Sequence, residues 1–491
     1  MQLGELLKDW PCTMKGSIRT EIKRVEDEAS KVMQGDIFVA RKGKDYNGIL
    51  FIEEALANGA VAIVLDDELY FDSIKISVPV VWVPNCLSFL SFANAKVLGF
   101  PAEAVTVIAV TGTNGKTTVT HFIGQILNQL QERTMVIGTN GVFVDGKRCY
   151  EQFESLTTLQ AKNLQFLFYE AIRHDIPYVI LEASSIGLVK HRLDYCDIDI
   201  GIFLNITEDH IEDHGSFEKY KQAKQILAHM SKKIIINSDD TICRSIGLAI
   251  KGKRIFFGKG SHVDYYIQTI LEANQYTICC IQNDDEQFVV TLPIVGEYQC
   301  SNVLAAISCV AQLQFKLKEI CEAVQFLTLP EGRYEVIDNQ LGLLIVVDYA
   351  HTPDAMKMLL QSVKKQTKER LIVVFSCGGN RDRAKRPKMG MIASAYANYI
   401  ILTTDNARGE APQVINEQIR KGFPASQLYE ELLDRQLAIE QAIKIANKGD
   451  SVVVLGKGHE KTQQIGNVQT FFSDKECVRQ ALEQFEPSES E

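Results

Sequence analysis

An apolar run, Val105 to Val110, leads directly into Thr111-Gly112-Thr113-Asn114-Gly115-Lys116-Thr117-Thr118. A buried strand that passes through a glycine-bearing turn into a helix is a building unit of a helix-covered sheet. The turn and the helix N-terminus present backbone N–H groups and the positive end of the helix dipole, which together bind phosphate. Lys116 is placed to reach terminal phosphates, and the Thr117 hydroxyl to join a magnesium shell. The segment therefore reads as a nucleoside-triphosphate site. The common P-loop pattern has a glycine five residues before Gly115, where this chain has Val110, so the loop is a shortened variant.

The chain has 491 residues, too many for one core, and suggests about three domains. Its 46% apolar and 23% charged content is that of a soluble globular protein. No apolar run approaches the ~18 residues of a membrane span, and Met1 to Thr20 lacks the apolar core of a signal peptide. The expectation is a cytoplasmic protein without a membrane partner. The 12 cysteines form no CxxC pair, so they read as reduced core thiols. A net charge of −10 argues against nucleic-acid binding and requires local basic residues wherever an anion is held.

Three blocks follow along the chain. Residues 1–100 carry short strands and a helix, and Phe100-Pro101 reads as a linker. Residues 101–332 alternate strands and helices: Val105–Val110, Thr118–Leu130, Met135–Gly138, Thr158–Arg173, Tyr178–Glu182 and Gly201–Asn205. That alternation predicts an α/β fold with a mostly parallel sheet. Ser261 to Pro293 reads as an antiparallel patch at its edge, followed by helices at Leu304–Gln312 and Leu317–Leu327. Residues 333–491 form a second α/β block with strands at Leu343–Asp348, Leu371–Phe375, Tyr399–Thr403 and Ser451–Leu455. Each of these strands ends in polar residues or glycine, where open α/β sheets place their ligands.

Glu182 ends a buried strand beside the phosphate loop, a position suited to magnesium. Asp209-His210 and Asp213-His214 follow the next strand and suggest a further cation site. Lys224 lies on an amphipathic helix, where periodicity alone would leave it solvated. In the last third come Gly332-Arg333, Asp348 to Asp354, Gly378-Gly379-Asn380-Arg381-Asp382, Asp405-Asn406-Ala407-Arg408 and Gly456-Lys457-Gly458-His459-Glu460. Clusters rich in arginine and glycine at strand ends describe an anion-binding rim with room for an amino-acid carboxylate.

These motifs, in this order along nearly the whole chain, resemble the Mur ligase family, and most of all the MurE-type ligases that add the third residue to UDP-N-acetylmuramoyl-L-Ala-D-Glu. The resemblance implies a three-domain architecture: an N-terminal acceptor domain (1–100), a central P-loop ATPase domain (101–332) and a C-terminal Rossmann-like amino-acid domain (333–491). It implies that Gly112, Thr113, Asn114, Gly115, Lys116, Thr117 and Thr118 hold the ATP phosphates, Asn302 the adenine side, and Arg333 and Asp348 the ribose or phosphate. Thr117 and Glu182 would bind one Mg2+, with His210 and a carbamylated Lys224 binding a second. Lys116, Lys224, His210 and Glu182 would carry the catalysis. Ser30, Thr157, Thr158, Ser184 and Arg192 take acceptor-side positions, and Arg381, Asp405, Asn406, Arg408, Gly456 and Glu460 those of an incoming meso-diaminopimelate. The implied reaction passes through an acyl phosphate and releases ADP and phosphate. It serves peptidoglycan precursor synthesis, by a monomer acting on small molecules.

The chain also departs from that pattern. Glu28-Ala29-Ser30 stands for Asp-Ser-Arg, Gly48-Ile49 for Gly-His, Thr157-Thr158-Leu159 for Thr-Thr-Pro, and Ser184-Ser185-Ile186 for Ser-Ser-His; Ala407 replaces a proline. The first four fall on the acceptor side. Three readings stand: a divergent MurE-type ligase, a paralogue using another carboxylate acceptor, and a non-catalytic ATP-binding relative. Intact Lys116, Glu182, His210 and Lys224 speak against the last. Unpaired polar groups on a bound ligand cost about 1–3 kcal/mol each, so two or three lost contacts weaken binding by roughly two to four orders of magnitude. Titration with UDP-N-acetylmuramoyl-L-Ala-D-Glu and a non-hydrolysable ATP analogue is expected to show weaker binding than in ligases with the full pattern; equal affinity would refute this.

Overall fold

The computed structural model describes residues 1–43, 47–153, 156–209, 211–260, 262–273 and 275–485. Three β-sheets with helices packed on them organise the chain. The first has five strands in the order Thr13–Lys15, Val80–Trp82, Ala62–Leu65, Ile37–Val39 and Val25–Glu26, parallel except for the first.

The second sheet has eleven strands. The strand Thr106–Thr111 lies near its middle, parallel to Tyr178–Glu182 on one side and Ile200–Phe203 on the other. Both faces of this strand are covered: Ile108 and Val110 enter one core, Val107 and Ala109 the other. Register decides where the chemistry falls. Val110 pairs with Glu182 and Thr111 with Phe203, so three strand ends release their following residues side by side.

The helix Lys116–Gln129 buries Val119, Phe122, Ile123, Ile126 and Leu127, a stripe with the i, i+3, i+4 spacing of an amphipathic helix. It packs in the same core as the helix Glu297–Ala311. That helix starts well before the expected Leu304, and the helix expected from Thr158 starts at Ala161. In the second case Thr158 is occupied elsewhere: its Oγ1 donates to the Glu182 carbonyl, 2.8 Å away.

The antiparallel strands Tyr265–Glu272, Thr277–Gln282 and Gln287–Leu292 form one edge of the sheet. At the opposite edge stands a hairpin the sequence did not announce, Gly141–Val144 with Lys147–Cys149. The third sheet runs Glu335–Ile337, Leu344–Asp348, Ser451–Leu455, Leu371–Phe375, Tyr399–Leu402 and Tyr429–Glu431, parallel after its first pair. All cysteines are free, and all but Cys12 and Cys149 are buried. Among the described residues no helix is long and apolar enough to cross a membrane.

An ion cluster joins the first sheet to the second. Lys162, at the start of the helix Ala161–Arg173, lies 2.6 Å from Glu26, 3.5 Å from Asp27 and 3.2 Å from Glu28. Burial works against the Lys162 charge, yet the three carboxylates outweigh it and raise its pKa. Arg41 holds the other side of Asp27 at 2.5 Å.

Behind the third sheet, Arg435 and Asp474 form a fully buried pair at 2.7 Å, and Arg435 Nη2 also donates to the Leu455 carbonyl at 2.8 Å. The pair anchors the helix Asp474–Phe485 beneath the strand that leads into Gly456. Asp474→Asn would leave a buried guanidinium without its carboxylate, a change that costs about 3–5 kcal/mol. Urea unfolding followed by tryptophan-independent far-UV dichroism should show a clearly lowered midpoint; an unchanged midpoint would contradict the assignment.

Candidate functional site

Gly115 precedes the helix with φ of +89°, and a Cβ there would come within 2.7 Å of Asn302 Oδ1 on the helix Glu297–Ala311. Only glycine makes this turn at this distance. Asn205, from the neighbouring strand end, fixes the loop by accepting from Asn114 N at 2.8 Å and donating to the Asn114 carbonyl at 3.1 Å.

Thr117 Oγ1 donates to Glu182 Oε1 at 2.9 Å. Glu182 also accepts from Thr139 N at 2.8 Å and Thr139 Oγ1 at 3.2 Å, and Gly138 leaves the room its carboxylate fills. A hydroxyl and a carboxylate side by side at the mouth of a phosphate loop are hard oxygen donors, which suit Mg2+.

Lys116 Nζ folds back to the carbonyls of Gly112 (2.9 Å) and Thr113 (3.0 Å). Lys224 is buried rather than solvated, and its Nζ donates to the same Gly112 carbonyl at 2.9 Å. Burial, and then repulsion from Lys116, push its pKa well below the ordinary lysine range. Among the described residues no carboxylate pairs with it. A lysine nitrogen, protonated or neutral, is a poor ligand for a hard cation, so Lys224 would suit a magnesium shell as a carbamate, whose oxygens are anionic. His210 lies outside the described residues; Asp209, beside it, is buried and lines the smaller of two cavities described below.

The C-terminal domain reaches into this loop. Arg333 Nη2 donates to Thr117 Oγ1 at 3.2 Å, its guanidinium lies 4.5 Å over the Tyr349 ring, and its buried Nε has no partner among the described residues. Asp348 is turned toward the chain itself, accepting from Tyr334 N and Ala350 N at 2.6 Å each, and so fixes the segment that carries Arg333. Thr352 Oγ1 donates to Asn114 Oδ1 at 3.3 Å.

Two cavities meet here. One, of about 300 Å3, is lined by Gly115 to Thr118, Glu182, Asn302, Arg333 and Asp348. The other, of about 1360 Å3, runs past Thr157, Thr158, Ser184, Ile186 and Arg192. Lys116, Arg381, Asn406, Arg408 and Glu460 line both, while Asp405 and Gly456 line the smaller. Arg192 Nη1 donates to the Thr158 carbonyl at 2.7 Å, which aligns the acceptor-side turn. Ser30 is not gathered here: it sits exposed in the short helical turn Ala29–Lys31. Ile49 packs in a core of the first domain.

Sequence reasoning gave no role to Thr139, His121, Arg148 or His459. His121 and His459 line the large cavity with Arg148. The quoted motif contained His459, but nothing in the pattern showed that His121, far away in the chain, would share its wall.

Residues 110–310 match the Mur ligase middle domain and residues 332–458 the Mur ligase, glutamate ligase domain. The chain is 34% identical, over 99% of its length and 100% of the relative, to the UDP-N-acetylmuramoyl-L-alanyl-D-glutamate–2,6-diaminopimelate ligase of Caldanaerobacter subterraneus subsp. tengcongensis. It is likewise 34% identical, over 98% and 100%, to such a ligase, numbered 2, of Clostridium acetobutylicum. A solved structure of a ligase of that name superposes with a TM-score of 0.68 at 31% identity, covering 99% of both chains. The fold, at 20% identity, is also that of the MurF ligase of Thermotoga maritima, with a TM-score of 0.63 over 95% and 97% of the two chains.

Burial, then Arg333, lowers the pKa of His121 to about 4; burial, then Arg333 and Arg148, lowers that of His459 to about 3. Both imidazoles stay neutral in the folded state well below the ordinary value of about 6.5. Between pH 6.5 and 4 the unfolded chain therefore binds protons that the native chain refuses, and stability falls as pH falls. The double variant His121→Gln/His459→Gln should lose less melting temperature across that window than the wild type. Parallel curves would refute the shifts.

Proposed function

The chain belongs to the Mur ligase family, and from that premise we propose that it joins meso-diaminopimelate to the D-glutamyl carboxylate of UDP-N-acetylmuramoyl-L-Ala-D-Glu, at the expense of ATP, in peptidoglycan precursor synthesis. The observation that carries this reading is the shared lining of the two cavities. Lys116 of the phosphate loop and Arg381, Asn406, Arg408 and Glu460 of the opposite rim border the same space.

In this reading the acceptor carboxylate attacks the γ-phosphate of ATP to give an acyl phosphate and ADP. The amine then attacks the acyl carbon, and phosphate leaves from the tetrahedral intermediate. The first step brings anions together, so the protein's task is positioning and charge compensation. Lys116 leaves the Gly112 and Thr113 carbonyls for the phosphates, and Arg333 approaches from the C-terminal side at Thr117. Thr117 and Glu182 would hold one magnesium ion, and His210 with a carbamylated Lys224 a second, which would supply further charge neutralisation. The lowered pKa of Lys224 supports carbamylation, since the neutral amine is the form that reacts with carbon dioxide. Arg408 suits a substrate with a carboxylate at its far end, which a guanidinium grips with two parallel hydrogen bonds.

One observation favours the alternative of a different acceptor carboxylate. Glu28, in the departing segment, belongs to the carboxylate cluster around Lys162, and the seam beside it keeps a cavity of only about 20 Å3. Carboxylates there repel a diphosphate, and Lys162 is already paired with them. Phosphate release with UDP-N-acetylmuramoyl-L-Ala-D-Glu, with and without meso-diaminopimelate, separates the readings. Release that requires both substrates is expected. Arg408→Ala should raise the KM for diaminopimelate at least tenfold, the loss of about 1.4 kcal/mol or more expected when a charged hydrogen bond disappears. Preference for lysine over diaminopimelate would overturn the assignment.

A further inference from the structure

We propose that Lys457, which lines neither cavity, is the positioning residue of the amino-acid subsite: its buried ammonium fixes Asn406, Glu460 and the hairpin that aims Arg408. The inference rests on the reading that this rim receives the incoming amino acid.

Lys457 is fully buried. Its Nζ donates to Asn406 Oδ1 at 3.2 Å, Glu460 Oε2 at 2.9 Å and the Thr462 carbonyl at 2.6 Å. Three donors thus serve three acceptors on two segments, the full capacity of an ammonium. The pairing also fixes the amide of Asn406. Its Oδ1 accepts from Lys457 and from Gln464 N at 2.9 Å, so its Nδ2 donates to Glu460 Oε2 at 2.8 Å. Asn406 and Glu460 line the cavities, so Lys457 acts on the subsite through them.

The third acceptor begins the hairpin Thr462–Ile465 with Val468–Phe471. This hairpin clamps the backbone of Arg408 from both sides. Arg408 N donates to the Gln464 carbonyl at 3.2 Å, and Gly466 N donates to the Arg408 carbonyl at 2.7 Å. Arg408 has φ of +49°, a conformation that a non-glycine residue holds only when its surroundings impose it. Position 407 is alanine, which does not fix its own φ as a proline would. The turn is aimed instead by this clamp and by close packing: Ala407 is fully buried, and its carbonyl lies where a Cβ on Gly379 would stand. Arg408 Nη1 then donates to the Gly379 carbonyl at 2.9 Å.

Two variants test this. Lys457→Arg keeps the buried charge but replaces a three-way point donor with a planar fork that cannot match the same three acceptors. Lys457→Met removes the charge at similar length. In steady-state assays with ATP, UDP-N-acetylmuramoyl-L-Ala-D-Glu and meso-diaminopimelate, each should raise the KM for diaminopimelate at least tenfold. The KM for ATP should stay within twofold of wild type, and thermal melts should report a folded protein. An unchanged diaminopimelate KM in a folded variant, or an equal rise in the ATP KM, overturns the proposal. If both variants fail to fold, Lys457 is structural and the proposal is likewise overturned. A wild type that does not turn over diaminopimelate refutes the reading of the rim itself, a different outcome from wild-type turnover with unaltered variants.

Discussion

Two lysine side chains converge on one carbonyl oxygen, that of Gly112, each at 2.9 Å. Two ammonium groups around a neutral acceptor, in a buried setting, are a poor arrangement for a protein with nothing else to bind. Desolvation disfavours both charges, and each repels the other. Under the proposed function the arrangement becomes sensible, because negative charge would enter: triphosphate at Lys116, and at Lys224 a carbamate that turns the side chain into an anionic ligand. The surrounding fold keeps this point fixed. The strand bearing Thr111 is covered on both faces, its neighbours deliver Glu182 and Asn205 beside it, and Gly115 allows the helix carrying Asn302 to approach.

The same point is where separate domains must cooperate. Arg333 touches Thr117 and Thr352 touches Asn114, so the C-terminal domain closes over the glycine-bearing loop. More exposed pairs, Arg381 with Asp213 at 3.7 Å and Lys388 with Glu208 at 2.8 Å, bridge the two domains farther out. Such exposed pairs contribute little individually. The packing of Gly332 against Gly458 and His459 ties the domain connection to the loop 456–460, because any side chain at Gly332 would collide with that backbone. Under the proposed function, in which one substrate is activated in the central domain and the other supplied from the C-terminal rim, the reaction needs this coupling.

Much of this was legible along the chain. The apolar runs that became parallel strands were evident because strands buried on both faces must be continuously apolar. The glycine-rich turns at their ends marked where ligands would converge. Element limits were less legible: Thr158 was taken for helix because periodicity does not register that its hydroxyl is committed to the Glu182 carbonyl. The hairpin Gly141–Cys149 went unseen because short, half-exposed strands carry too few apolar residues to show a period. Ser30 was placed on the acceptor side by its neighbours in the motif, and the fold leaves it exposed on a turn.

Local order in the sequence determined the phosphate loop, the sheet it needs and the family of reactions it serves, since those depend on residues within a few positions of one another. Tertiary structure alone decided the electrostatic state of individual groups. Lys224 and Lys457 look like ordinary solvated lysines in one dimension. What makes the first a candidate for chemical modification and the second the proposed positioning residue is burial beside partners many residues away, on Gly112 and Asn406. Desolvation and Coulomb interaction depend on distances through space, and a sequence specifies only distances along the chain.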